Sequence, residues 1–91
     1  MEKLNESFEY RFEYRVGYQN AEVSVQVYHE NDDYRLITFD KHVELPNTLE
    51  KLLKITLEQK LEKARLKLFK KAKKYADRKV HILKAIKNIE R

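Results

Sequence analysis

The chain has 91 residues, with one glycine, one proline, no cysteine, 38% charged and 42% hydrophobic residues and a net charge of +5. That length allows one domain with a modest core that buries roughly two-thirds of the unfolded surface. The missing cysteines exclude disulfides and thiolate metal sites, and so few Gly and Pro residues exclude low-complexity linkers.

No apolar run approaches the roughly 20 residues that span a bilayer, and the first residues lack the basic, apolar, small-residue order of a secretory signal. A cytoplasmic protein with no membrane segment is expected. Charge is divided along the chain: Met1 to Asn47 holds ten acids and five bases, a net −5, and Thr48 to Arg91 holds five acids and fifteen bases, a net +10.

Phe8, Tyr10, Phe12, Tyr14, Val16 and Tyr18 alternate with Glu9, Arg11, Glu13, Arg15 and Gly17, the period-two pattern of a half-buried strand. Gln19 and Asn20 supply a turn, and Val23, Val25 and Val27 alternate with polar residues as a second strand. The run Glu30, Asn31, Asp32 and Asp33 is turn chemistry. Tyr34, Leu36, Ile37 and Phe39 then open a third strand toward Val43, whose facing stays open because both registers carry apolar residues. The alternating signs of Glu9, Arg11, Glu13 and Arg15 fit cross-strand pairing, and the sheet shows no excess of Lys or Arg with which to track phosphates.

Leu45 and Pro46 end the sheet. Asn47 or Thr48 caps a helix, with Glu50 three residues after Asn47 in a capping-box arrangement. Leu53, Leu57, Leu61, Ala64, Leu68, Ala72, Tyr75, Ile82, Ile86 and Ile89 share one stripe at 100° per residue. An unbroken helix from 48 to 90 is about 64 Å long, against about 36 Å for an eleven-residue strand, so it overhangs the sheet. Either a second copy covers the overhang through Tyr75, Ile82, Ile86 and Ile89, giving a homo-oligomer, or the helix breaks near residues 76–79, where Arg78 and Lys79 interrupt the stripe and Asp77 offers a cap. Self-association is the favoured expectation.

Lys60, Lys63, Lys67, Lys70, Lys71, Lys74 and Arg78 recur at three- and four-residue steps and share a second stripe about 100° from the first. Like charges stacked this way disfavour an isolated helix, so a polyanionic partner is a reasonable inference; a merely solvated outer face is the competing reading.

A reaction finds little support. His29, His42 and His81 show no metal-motif spacing, so no metal or cofactor is expected. The acids from Glu30 to Asp33 lack the spaced ligands and turn glycine of a calcium loop. Ser7 and Ser24 have no evident base, and Gly17 alone makes no phosphate cradle. No catalytic residue is assigned.

The expected fold is α+β: a three-stranded antiparallel meander over residues 6–45 covered by one long C-terminal helix (βββα) over residues 48–90. In element order it is similar to small three-strand-plus-helix DNA-binding domains, a likeness of topology alone. The expected function is a non-enzymatic protein that contacts nucleic-acid phosphates with little sequence preference. The alternative is an adaptor or inhibitor that docks on an acidic or nucleic-acid-processing protein.

Overall fold

The computed structural model describes residues 2–30 and 34–90. Four antiparallel strands, β1 (Glu2–Lys3), β2 (Phe8–Val16), β3 (Asn20–His29) and β4 (Arg35–Glu44), form one sheet in the order β1-β2-β3-β4. Two helices follow, α1 (Thr48–Leu52) and α2 (Leu57–Ile89). The architecture is the expected α+β meander with a long C-terminal helix, and it has one strand more than the sequence showed.

The extra strand is made by Asn5. Its side-chain oxygen accepts from the backbone N–H groups of Ser7 and Phe8, both at 3.0 Å, and the turn it closes pairs Glu2 with Tyr10. The same segment is fastened to α2, because Lys73 Nζ donates to the Leu4 carbonyl at 2.8 Å and Asn5 Nδ2 donates to Asp77 at 3.0 Å.

The central strand β3 anchors the core. Val23, Val25 and Val27 are fully buried beneath Ala64, Leu68, Ala72 and Ala76 of α2. Alanine at three of those four positions brings the helix close to the sheet, while Leu68 fills the gap and contributes about 2 kcal/mol by leaving water. At the sides, Tyr10 meets Phe69 and Phe39 meets Tyr75 edge to face at 5.4 and 6.2 Å. The facing of β4 is now fixed: Ile37, Phe39 and Val43 turn toward the helix, and Leu36, Thr38, Asp40 and His42 turn away.

Three expectations are corrected. The aromatic row of β2 is not covered to its end: the strand stops at Val16, the turn spans residues 17–20, and Val16 and Tyr18 are 89% and 99% exposed. The helical region is not unbroken from 48 to 90, since a turn separates α1 from α2. Lys54 there takes a left-handed φ of 60°, its N–H donates to Lys51, and the Ile55 N–H donates to Glu50, the paired bonds of a Schellman helix end. Thr56 and Gln59 then open α2 with a capping box of their own. Leu53 is thereby turned out of the stripe and left exposed. Finally, no break occurs at 76–79. Asp77 lies mid-helix, bonded to Lys73 and Asn5.

At 1.5 Å per residue the 33 residues of α2 span roughly 50 Å, and the ten residues of β3 or β4 span roughly 33 Å. The overhang makes the chain elongated, with extents of 61 × 23 × 16 Å and a radius of gyration of 16.8 Å, against about 12 Å for a compact domain of this length. No helix among the described residues is long and apolar enough to cross a membrane.

Candidate polyanion interface

The two flanks of α2 differ in how their charges are used. On the flank toward β1 and β2, cations are engaged inside the chain. Arg65 lies over the Phe12 ring at 5.1 Å and reaches Glu62 at 3.2 Å. Lys73 is held by Leu4 and Asp77, and Lys84 pairs with Glu6 at 2.9 Å.

The flank toward β4 carries the predicted basic stripe, and there internal pairing is limited to its first member. Lys60 meets Glu50 at 3.1 Å with both side chains three-quarters buried or more. Glu50 is pre-set for this: the Asn47 backbone N–H and then Lys60 hold its carboxyl below the usual range. Lys63, Lys67, Lys70, Lys71, Lys74 and Arg78 are exposed and form no ion pair among the described residues.

A cation from the sheet joins them. Lys41 stands on the helix-facing side of β4, between Phe39 and Val43, where the strand's alternation aims it at α2. Repulsion from Lys67 first, and from Lys71 to a lesser degree, lowers its pKa from the ordinary lysine value. Three ammonium groups from two elements therefore gather at the seam. An inward charge on an edge strand also discourages edge-to-edge pairing, but that role needs no lysines opposite it. Sequence reading missed Lys41 because nothing settled which face of the strand it occupied.

Of the α2 aromatics, half-buried Phe69 lines an open cavity beside Lys70, Lys74 and Arg78. Phe69 also meets Tyr10 edge to face, Tyr75 meets Phe39, and the Lys79 ammonium lies over the Tyr75 ring at 5.6 Å. Tyr75 is thus half-buried within its own chain. Its companions in the predicted self-association set, Ile82, Ile86 and Ile89, lie past the sheet and are exposed, as is Leu83.

The histidines are dispersed. His29 meets Phe8 edge to face and faces the Glu30 carbonyl at 3.0 Å, His42 reaches Glu22 at 3.5 Å across β3 and β4, and His81 lies on the exposed surface of α2. Among the described residues no group of three His, Cys, Asp or Glu side chains is placed to hold a metal ion. Ser24 is buried and donates to the Glu13 carbonyl, and Ser7 lies in the Asn5 turn. Glu30 pairs with Lys3 at 3.6 Å, while Asn31, Asp32 and Asp33 lie outside the described residues. On the outer sheet face, buried Gln26 is satisfied by Arg11, Glu13 and Tyr28.

No protein-family model, curated protein or solved structure matches the chain.

Proposed function

We propose that the chain is a small, non-enzymatic cytoplasmic protein that binds nucleic-acid phosphates through the β4-facing flank of α2, with Lys41, Lys63, Lys67, Lys70, Lys71, Lys74 and Arg78 as point contacts. One observation carries this reading: the fold neutralises the cations of one helix flank and leaves those of the other open, then adds a strand lysine to the open side. Crowded ammonium groups that form no ion pair among the described residues are relieved by an anion, and phosphates released from their counterions supply it. Phe69 and Tyr75 are each held half-buried against a sheet aromatic, and the exposed members of the surface are all cations. Binding is therefore to the backbone, with little sequence preference.

The test is a salt titration on generic duplex DNA and RNA. Affinity should fall log-linearly with salt, with a slope of about −0.9 per contacted phosphate on B-DNA. Lys67→Glu with Lys71→Glu should abolish binding while leaving the fold intact, since the new carboxylates pair with Lys41. Absence of binding to either nucleic acid at low salt would end the reading.

A second reading, docking on an acidic protein, is favoured by the bare aliphatic residues Leu49, Leu52 and Leu53 in and just after α1 and Ile82, Ile86 and Ile89 in the α2 tail, for which a phosphate backbone has no use. The same exposed tail supports self-association of the chain through Ile82, Ile86 and Ile89.

A further inference from the structure

Over the solvent side of α2, two rows of side chains at four-residue steps, one running from Phe69 to His81 and the other from Lys70 to Ile82, line an open cavity of about 620 Å³. That volume is of the size of small-ligand sites, about 300–1,000 Å³. The helix rises roughly 20 Å between Phe69 and Ile82, so the cavity is a groove and not a pit.

Its charges sort by what already holds them. The one carboxylate in the lining, Asp77, accepts from Asn5 at 3.0 Å and from Lys73 at 3.2 Å. Lys70, Lys74 and Arg78 form no ion pair among the described residues, and the lining holds no second acid to balance them. The groove therefore selects an anion.

Phe69 says which anion. Its half-buried ring is braced from the sheet, because Tyr10 meets it edge to face at 5.4 Å and Phe12 meets Tyr10 in the same way at 5.7 Å. A ring fixed before the ligand arrives loses little freedom on binding. An aromatic ring beside unpaired Lys and Arg side chains is the combination by which proteins hold single strands: bases stack on the ring and the cations follow the backbone. The bases of a duplex are stacked on one another, so a duplex would use the cations alone. An acidic peptide would also satisfy the cations, but its carboxylates give the ring no role.

Resting on the phosphate-binding reading above, we infer that the Phe69 groove takes an unpaired base of a single-stranded nucleic acid, with Lys70, Lys74 and Arg78 on the phosphates beside it. Every base has a π-face, so this contact adds to the backbone contacts without selecting a sequence.

Fluorescence anisotropy of the full chain with two labelled strands of equal length, one of thymidines and one abasic, tests this, because both carry the same phosphates. The wild type should bind the thymidine strand about 5- to 100-fold more tightly, the gain from one stacked base. Phe69→Leu, which keeps an apolar side chain against Tyr10, should bring the thymidine strand down to the abasic affinity. Equal wild-type affinities would overturn the base site and leave phosphate binding standing, a comparison that needs no variant to fold. Loss of affinity by the same factor for both strands in Phe69→Leu would likewise overturn it, making the ring a structural support. Failure to bind either strand would overturn both readings, and binding of poly-glutamate in their place would assign the groove to an acidic protein.

Discussion

Lys41 of β4 and Lys67 of α2 face one another across the seam between sheet and helix, close enough that repulsion from Lys67 is the largest influence on the Lys41 ammonium. This relationship opposes stability and invites a ligand, so one substitution separates the two effects. Lys41→Met keeps the aliphatic stem over the core and removes the charge. Its melting temperature should exceed that of the wild type in low salt, while its affinity for duplex nucleic acid should fall. The sign with pH follows from linkage. A lysine whose folded pKa is depressed binds fewer protons folded than unfolded, so wild-type stability should rise with pH through the alkaline range, and this rise should shrink in the variant. A melting temperature that drops on losing Lys41, with binding unchanged, would make the residue purely structural.

Lys54 occupies a position built for glycine. Its φ of 60° at the end of α1 places a Cβ against the following carbonyl, a strain of roughly 1–2 kcal/mol for an L-residue, whereas glycine adopts that conformation freely. Glycine also loses more chain entropy on folding, so Lys54→Gly should stabilise the protein by about 1 kcal/mol at most. Denaturant midpoints at unchanged slope measure it. A loss of stability would mean that the lysine side chain gives more than its backbone strain takes.

That turn also marks where the sequence misleads. Leu53, Leu57 and Leu61 keep a four-residue spacing straight across the interruption, so periodicity alone reads one helix. The contrary signal was present in Thr56 and Gln59, a capping pair three residues apart, but no glycine or proline drew attention to it. Strand β2 was legible because its alternation is strict, and the central valines of β3 because they alternate with polar residues. β1 was not, since two residues carry no period and only the Asn5 turn gives them a partner. Of the basic stripe, the helical spacing revealed every member on α2, and Lys41 stayed hidden until Ile37, Phe39 and Val43 fixed which side of β4 meets the helix.

Ala72 sets the distance between α2 and the sheet. It is fully buried, between Leu68 and Ala76 along the helix and above the β3 valines, with no space for a longer side chain. Ala72→Leu should destabilise by about 1–3 kcal/mol through overpacking, despite adding apolar surface and helix propensity. Chemical denaturation checks the magnitude. The exposed Ala85, on the same helix beyond the sheet, provides the control: Ala85→Leu should change stability by under about 0.5 kcal/mol.

Acid should loosen the N-terminal clasp. Asn5 first, and then Lys73, hydrogen-bond the Asp77 carboxylate and hold its pKa below the ordinary value, while Asn47 and Lys60 do the same for Glu50. Both groups therefore bind fewer protons folded than unfolded. Their contribution is present above the unfolded carboxylate pKa, near 4, and is lost as pH falls through the lower folded values. Asp77→Asn removes the charge but keeps the shape. It should melt below the wild type at neutral pH, and the two melting curves should converge once the native carboxyl is protonated. Because Asp77 is exposed, the neutral-pH gap should be modest and should narrow in high salt. A gap that persists undiminished in strong acid would show that ionisation of Asp77 is not what ties Asn5 and Lys73 to the helix.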